Sequence, residues 1–183
     1  MKLAIRCAAL VVLALMPVYG GLVTNPGFET GNLTGWTFTP ASCGVDFYVG
    51  GPAHTGSYAA HFGGTCVGFY DTISQVIPTE VGATYTFSFW LDSNNGNGNG
   101  ERALWDGSAV LDLTNFAQGW TEYSYTVKAT GSSTTIAFAG YNAPSERWNG
   151  VDDVLVTENI PEPSAWVLAL GGILGVITLR KRR

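Results

Sequence analysis

The first residues that could do chemistry are two adjacent carboxylates near the end of the chain, Asp152 and Asp153. Side chains alternate between the two faces of a strand, so Asp152 shares a face with Val154 and Val156. If these valines face the core, Asp152 points inward too, and a buried carboxylate needs a compensating partner. A calcium ion, which prefers oxygen ligands, would supply one. The alternative is that Asp152 accepts hydrogen bonds from turn amides and binds no ion.

Aromatic side chains form a second group, because a flat ring can stack on the face of a pyranose. The candidates are Trp36, Trp90, Trp105, Trp120, Trp148 and Tyr141. A core of this size buries several such rings, and Trp90 lies in an alternating apolar strand, so we expect it in the core. Trp105 and Trp148 lie near loops, and we expect these two to be exposed and to be candidate glycan contacts.

Catalytic motifs are absent from the sequence. Neither a Gly-x-Ser-x-Gly elbow nor a His-Glu-x-x-His helix occurs. His54 and His61 lie in or beside one turn region, where a lone histidine is more often structural than catalytic. A glycosidase pair of carboxylates cannot be identified from spacing alone. The sequence therefore favours a non-catalytic protein.

The charge distribution excludes one class of partner. The net charge is −5, and only Arg102, Lys128 and Arg147 are basic between the two ends of the chain. A negatively charged domain does not bind nucleic acid, whose phosphates require a basic surface. It is also unsuited to an anionic polysaccharide unless a cation bridges the two.

The N-terminus has the pattern of a secretory signal peptide. Lys2 and Arg6 precede a short apolar run that Pro17 ends, and small residues follow up to Gly20. We expect export through the Sec translocon and cleavage after Gly20, so that residues 1–20 are lost. A retained membrane anchor is the alternative.

The cysteine count agrees with export. Of the three cysteines, Cys7 lies in the predicted signal peptide, which leaves Cys43 and Cys66. Two cysteines in an exported chain most simply form one disulfide, which would stabilise the fold by about 3 kcal/mol through chain entropy. Two free buried thiols are the alternative, and the absence of a Cys-x-x-Cys spacing argues against zinc.

Residues 21–159 have the pattern of a single all-β domain. Apolar and polar residues alternate at 85–90 and 123–127, turn signals recur between short strands, and no stretch has helical periodicity. This pattern predicts a β-sandwich or jelly roll. The stretch 93–100 consists of serine, asparagine and glycine, and we expect it to be a mobile loop.

The C-terminal segment, residues 160–183, has three parts of different character. Pro161 and Pro163 interrupt any preceding sheet, residues 165–179 carry no charge, and the last four residues are all cationic. An apolar segment followed by basic residues predicts a short transmembrane helix with its basic end in the cytoplasm. A buried C-terminal core helix is the alternative.

The order of these parts resembles the PEP-CTERM sorting signal of Gram-negative bacteria. The motif Pro161, Glu162, Pro163 is followed by the apolar helix and by the basic terminus. The resemblance implies transient anchoring in the inner membrane and processing by an exosortase near the motif. It also implies a location at the cell surface or outside the cell, in association with exopolysaccharide.

Four motifs in the middle of the chain resemble the galactose-binding-like jelly roll of carbohydrate-binding modules. They are Asn-Pro-Gly-Phe-Glu-Thr-Gly at 25–31, Gly-Ser-Tyr-Ala-Ala at 56–60, Gly-Trp-Thr-Glu-Tyr at 119–123 and Val-Asp-Asp-Val at 151–154. That family often holds a structural calcium ion between its first and last strands. The resemblance implies Glu29 and Asp152 or Asp153 as ligands, with backbone carbonyls completing the shell.

Taken together, the sequence predicts an exported, non-catalytic β-sandwich that is sorted by its C-terminus and binds a glycan. A purely structural matrix protein with calcium as its only ligand is the competing hypothesis. Exposed aromatic rings on a concave face would favour binding, and a smooth polar surface would favour the structural role. A glycoside hydrolase is a third hypothesis, which requires two carboxylates within reach of each other in a cleft.

Overall fold

The computed structural model describes residues 21–63, 66–94, 96–143 and 148–160. The predicted signal peptide at 1–20 lies outside the described residues, as do the sorting motif Pro161, Glu162 and Pro163 and the helix predicted at 165–179. In the part that is described, no helix is long and apolar enough to cross a membrane.

Ten β-strands make up the regular structure of the described residues. They are β1 (Thr37–Thr39), β2 (Phe47–Gly50), β3 (Ala59–Phe62), β4 (Asp71–Pro78), β5 (Thr84–Ser93), β6 (Asn99–Trp105), β7 (Ser108–Thr114), β8 (Gln118–Lys128), β9 (Ser133–Asn142) and β10 (Asn149–Glu158).

The strands form two antiparallel sheets of five strands each. The first sheet has the order β1-β4-β9-β6-β7, and the second sheet has the order β2-β3-β10-β5-β8. The prediction of an all-β sandwich is confirmed. β10, the last strand, lies in the middle of the second sheet between β3 and β5.

Aromatic and aliphatic side chains from the inner faces of the two sheets fill the core. In β5, Phe87, Phe89 and Leu91 point inward and are fully buried. Phe138 of β9 faces them from the first sheet, and its ring centroid lies 4.9 Å from that of Phe89 in an edge-on arrangement. Burial of each such side chain contributes about 1.5–3 kcal/mol, so this cross-sheet contact is what holds the layers together.

The opening loop, residues 21–36 before β1, closes one edge of this core. Phe28 is fully buried, and its ring centroid lies 5.5 Å from that of Trp36. Its backbone φ is 57°, a left-handed conformation that is uncommon for a side chain of this size. Because Phe28 is anchored in the core, the next residue, Glu29, is held at the surface beside the loop that precedes β3.

A disulfide joins Cys43 and Cys66, whose Cα atoms lie 6.1 Å apart, and this confirms the predicted pairing. It connects the segment before β2 with the segment after β3. β2 is a four-residue strand at the edge of the second sheet and pairs only with β3. The disulfide therefore fixes the two ends of a short hairpin that has few other backbone partners.

The expectation of a mobile loop at 93–100 is wrong for both of its ends. Ser93 ends β5, Asn99 begins β6, and both are buried. The Asn99 side chain donates to the Ser93 hydroxyl at 2.7 Å and to the Phe116 carbonyl at 2.7 Å. The Asn99 side chain makes hydrogen bonds that connect the ends of β5 and β6, so these polar residues are ordered.

Asn99 belongs to a buried amide cluster between the sheets, at the end where β10 begins. The cluster consists of Ser93, Asn99, Glu101, Asn142 and Asn149, none of which is more than 1% exposed. Asn149 lies at its centre, because it accepts from Asn142 at 3.1 Å and donates to the Gly100 carbonyl at 2.9 Å. The cluster ties the starts of β6 and β10 to the ends of β5 and β9.

Glu101 is the ionisable member of this cluster. One carboxyl oxygen accepts a hydrogen bond from Asn149 at 3.2 Å, and the other has no partner among the described residues. Burial raises the pKa of the Glu101 carboxyl well above its ordinary value, and the hydrogen bond from Asn149 opposes this rise only in part. The folded state therefore favours the neutral acid.

We predict that Glu101→Gln makes the protein less sensitive to alkali. Folded Glu101 keeps its proton at pH values where the unfolded chain has lost it, so the wild-type free energy of unfolding falls as the pH rises above about 4.3. The glutamine of the variant does not titrate in either state, so it adds no such pH dependence. Its unfolding temperature should exceed that of the wild type by about 4 °C at about pH 8, with a smaller difference near pH 4. Glu80→Gln, at an exposed site, is the control, and parallel pH profiles for Glu101→Gln and the wild type would contradict the assignment.

Candidate functional site

The three acidic residues that the sequence singled out all lie beside Gly27. A Cβ atom at Gly27 would lie 3.4 Å from Asp153 Oδ1, 3.5 Å from Asp152 Oδ1 and 3.7 Å from Glu29 Cγ. The opening loop and β10 thus bring all three predicted residues to one place. An added Cβ would make only ordinary van der Waals contacts with these atoms, so Gly27 marks the place where the three residues meet.

Asp152 is fully buried and holds the loop at residues 51–58, which connects β2 to β3 (here the 51–58 loop). Its Oδ2 atom accepts from the His54 amide at 2.8 Å and from the Thr55 amide at 3.2 Å. Its Oδ1 atom accepts from the Asp153 amide at 2.7 Å. Burial, with a contribution from the nearby Asp153 charge, raises the pKa of Asp152 to about 6. The hydrogen bonds to turn amides, one of the two alternatives for this residue, are thus present.

The argument that made Asp152 point into the core is wrong, although its burial is as expected. The register of β10 against β5 shifts between Asp152 and Leu155, which marks a β-bulge, and Asp153 has a φ of 47°. Val151 and Val154 therefore both face the core. Asp152 lies on the other side of the sheet from them, where the 51–58 loop covers it.

Asp153 and Glu29 hold the same loop at other points. Asp153 accepts from the Thr55 hydroxyl at 2.7 Å, and its second oxygen lies 2.7 Å from Nδ1 of His54. Glu29 accepts from the backbone amides of Ser57 at 2.9 Å and Tyr58 at 3.0 Å. Three carboxylates therefore fix one loop of eight residues from both of its sides.

The chemistry of this donor set fits calcium only in part. Carboxylate oxygens are hard ligands of the type that calcium prefers, and the Asp152 carboxylate is buried without a cationic partner within the described ranges. Among these same residues, however, no three or more side chains of His, Cys, Asp or Glu are arranged to hold a metal. Backbone carbonyls would have to complete the coordination shell.

Next to the carboxylates, the outer face of the second sheet carries a group of rings that we call the aromatic face. It consists of Tyr48, His54, His61, Trp90, Trp120 and Trp148. The rings of His54 and Trp90 are stacked, with centroids 3.6 Å apart and planes at 12°. Tyr48 stacks on His61 at 4.6 Å and meets Trp148 edge-on at 5.5 Å.

Trp120 occupies the middle of the aromatic face because Gly150 has no side chain. A Cβ atom at Gly150 would lie 2.8 Å from Cη2 of Trp120 and 3.4 Å from Cε1 of His61. Trp120 lies on β8, and Gly150 lies on β10, so the indole ring crosses the intervening strand β5. Gly150 is thus the position that leaves room for the edge of the indole ring.

His61 forms the buried floor between these rings. It is 3% exposed, and its Nε2 atom donates to the Gly50 carbonyl at 3.0 Å. Burial lowers the pKa of His61, while the hydrogen bonds to backbone carbonyls oppose this. The ring therefore stays neutral at neutral pH, and the floor of the face carries no positive charge.

Two predictions about tryptophan exposure are wrong, and one is in accord with the structure. Trp105 is buried in the core, where its Nε1 donates to the Lys128 carbonyl at 3.0 Å and its ring packs against Tyr85 and Phe87. Trp90 was expected in the core but lies on the aromatic face, since its neighbours Phe89 and Leu91 take the inward positions. Trp148 is partly exposed on that face.

Sequence reasoning did not assign His54, Gly150, Tyr48 or Asp92 to a site. Tyr48 is an outward position between the apolar Phe47 and Val49, and alternation could have identified it. Gly150 alternates in the same way with the buried Asn149 and Val151. His54 carried no such signal, because its role depends on the fold that brings residue 54 within 3.6 Å of the Trp90 ring.

Solved structures with three different roles share this fold. TmCBM61, in complex with beta-1,4-galactotriose, has a TM-score of 0.58 at 19% identity over 77% of this chain and all of its own. The K1 cleaved adhesin domain of Lys-gingipain from Porphyromonas gingivalis W83 has a TM-score of 0.57 at 14% identity, covering 73% and 96%. A cyclase from Fischerella sp. TAU has a TM-score of 0.55 at 16% identity, covering 76% and 97%. At these identities the likeness shows the fold alone.

One curated relative matches in sequence. Endo-1,4-beta-xylanase A of Thermoanaerobacterium saccharolyticum is 29% identical over 116 residues, which are 56% of this chain and 10% of the xylanase. The chain thus spans about a tenth of the length of that enzyme.

A family model described as a carbohydrate binding domain (CBM_4_9) matches residues 20–152. The matched segment begins before the opening loop, includes every ring of the aromatic face and ends at Asp152 in β10. It covers well over half of the chain. This protein is therefore a member of the carbohydrate-binding domain family CBM_4_9.

Proposed function

We propose that this protein is an exported, non-catalytic glycan-binding protein and that the aromatic face is its binding site. The observation that carries the proposal is the position of Trp120, whose ring edge lies over Gly150 next to the stacked pair His54 and Trp90. Partly exposed aromatic rings offer the apolar face of a sugar a surface to stack on. Membership of a carbohydrate-binding family supports the same conclusion.

The aromatic face favours this function over a purely structural one. A matrix protein without a glycan ligand would need no partly exposed aromatic rings next to one another, and here Tyr48, Trp90, Trp120 and Trp148 are all partly exposed. The position of Trp148 is fixed from below by the buried amide cluster, since Asn149 directly follows Trp148 and directly precedes Gly150. Rings held in place before binding lose little entropy when a ligand arrives.

We predict that the aromatic face binds a neutral oligosaccharide and that Trp120 carries much of the affinity. Full-length protein in a sugar-free detergent buffer would be titrated calorimetrically with xylohexaose, cellohexaose and beta-1,4-galactotriose. Trp120→Ala should weaken binding of any ligand at least about tenfold, or about 1.4 kcal/mol, because it removes the central stacking surface. Gly150→Ala should act in the same direction by displacing the ring.

The matched control is Phe69→Ala, which removes an exposed ring elsewhere on the surface. This control should leave the affinity unchanged. Equal affinities for Trp120→Ala and the wild type would show that the site lies elsewhere.

We further propose that calcium binds at Glu29 and Asp152, with Asp153 beside them, and acts structurally. The support is that these three acidic residues lie beside Gly27 and that the 51–58 loop they hold carries His54 of the aromatic face. The ion would supply positive charge next to the buried Asp152. The residues of the chain already orient the loop through their hydrogen bonds to its amides.

We predict that calcium raises the unfolding temperature relative to EGTA by about 4 °C or more, which corresponds to roughly 1 kcal/mol. Asp152→Ala and Glu29→Ala should remove this difference, since each deletes a ligand oxygen. Asp112→Ala, an exposed carboxylate on the first sheet, should retain it. An unfolding temperature that is indifferent to calcium would reject the metal and leave the glycan proposal standing.

Export and sorting complete the proposal and rest on the sequence. The predicted signal peptide would direct the chain to the Sec translocon, and the segment with Pro161, Glu162 and Pro163 would hold it in the inner membrane until an exosortase acts. The mature protein would then lie at the cell surface or outside the cell, where exopolysaccharide is the glycan within reach.

We predict that replacing Pro161, Glu162 and Pro163 by alanine causes the protein to accumulate in the inner membrane of an exosortase-containing Gram-negative host. Fractionation followed by immunoblotting would measure the distribution. Val81→Ala, an exposed change in the sandwich, is the control. The same distribution for the triple variant and the wild type would contradict the sorting role.

A further inference from the structure

A single carboxylate, that of Asp92, lies in the middle of the aromatic face. Asp92 of β5 pairs with Gly150 of β10, and both point outward because Leu91 and Val151 beside them are in the core. Since Gly150 has no side chain, nothing from β10 covers the carboxylate.

Trp120 passes close to this carboxylate. On the other side of β5, the register against β8 shifts between Leu91 and Ser93, which brings Asp92 opposite the segment that contains Trp120. The indole ring must cross β5 at this level to reach Gly150. The Asp92 carboxylate therefore lies at the edge of the central stacking surface.

The Asp92 carboxylate is not committed to another side chain. It accepts a hydrogen bond from the backbone amide of Ser93, and among the described residues no side chain pairs with it. The residue is half-buried, and this burial raises the pKa of its carboxyl. Loss of water without a compensating charge is unfavourable to a carboxylate, so a cationic group on a ligand would find a partner there.

The other charges near the aromatic face have the same sign. Glu122 of β8 is exposed opposite Trp90, and Asp46 lies close enough to Tyr48 to contribute, after burial, to the raised pKa of that phenol. Within the described residues, the lysine and arginine side chains lie elsewhere: Lys128 pairs with Thr84 at the far end of β8, and Arg102 lies on the first sheet. His54 of the face lies 2.7 Å from the carboxylate of Asp153. The local field therefore repels uronic acids and sulfated sugars.

We propose that Asp92 makes the aromatic face select glycans that carry free amino groups, such as polymers of glucosamine, over neutral and acidic glycans of the same length. The inference rests on the proposed glycan-binding function and names its ligand class. The rings stack on the faces of the sugars, while an ammonium group at the edge of one sugar pairs with Asp92. A hydrogen bond between two charged groups is stronger than one between a carboxylate and a hydroxyl, and this difference provides the selectivity.

The test compares four hexasaccharides by calorimetry at neutral pH, with the full chain in a sugar-free detergent buffer. Three share a β-1,4 backbone and differ in one substituent: the hexamers of glucosamine, N-acetylglucosamine and glucose. The fourth is a galacturonic acid hexamer. The variants are Asp92→Asn, which removes the charge and keeps the shape, and Glu80→Gln, which removes one exposed charge at the opposite end of the sandwich. Near-UV circular dichroism of the tryptophans shows whether the Asp92→Asn variant keeps the aromatic face intact. If that variant changes the spectrum, Asp92→Ser is used in its place.

We expect the glucosamine hexamer to bind at least about tenfold more tightly than the other three, a factor equivalent to about 1.4 kcal/mol. Asp92→Asn should abolish this preference without weakening the binding of the glucose hexamer, and Glu80→Gln should preserve it.

Two results would overturn the inference. If Asp92→Asn and Glu80→Gln weaken glucosamine binding equally, the attraction is a general charge effect. If neutral hexamers bind as tightly as the glucosamine hexamer, or the latter does not bind, Asp92 does not select amines. In both cases the glycan-binding function is tested separately, by the titrations with neutral oligosaccharides and by the Trp120→Ala variant.

Discussion

The hydrogen bonds that three carboxylates accept from backbone amides and side chains of the 51–58 loop are the interaction on which this molecule depends. Glu29 comes from the opening loop, and Asp152 and Asp153 come from the last strand, so the two ends of the domain hold one connection between them. The loop in turn places His54 against Trp90, 3.6 Å from ring to ring. The three carboxylates therefore support the aromatic face, and the two features are adjacent and connected through His54 although they differ in chemistry.

The bulge in β10 makes this arrangement compatible with a closed core. A strict alternation would have sent either the carboxylates or the valines to the wrong side of the sheet. The extra residue at the bulge allows Val151 and Val154 to pack inward while Asp152 is covered by the loop. At the same end of the sandwich, the Asn149 side-chain amide donates to backbone carbonyls of β6 and β9 in the first sheet and so fixes the position of β10 beside Trp148 and Gly150.

Much of the fold was predictable because its signals are local. Alternation gave the strands, and two cysteines in a chain with a secretory pattern gave the disulfide between Cys43 and Cys66. The convergence of Glu29 and Asp152 followed from a resemblance in motifs rather than from geometry. The predicted directions of side chains were less reliable. Trp105 lies near a loop but is buried, and the bulge in β10 turns Asp152 away from the core valines. Asn99 was misjudged because amide pairing between distant strands leaves no trace in composition.

Both ends of the described domain lie at the same end of β10. The Leu22 amide donates to the Val156 carbonyl at 3.1 Å, and the Asn159 amide donates to the Thr84 carbonyl at 2.8 Å. Gly150 lies eight residues before Glu158, the last residue of β10, and at about 3.3 Å per residue the two are roughly 26 Å apart. Counterions screen charge over about 8 Å at physiological ionic strength. Charge at the end of the domain where residue 160 lies is therefore screened from the aromatic face, and the acids beside the rings dominate the electrostatic field there.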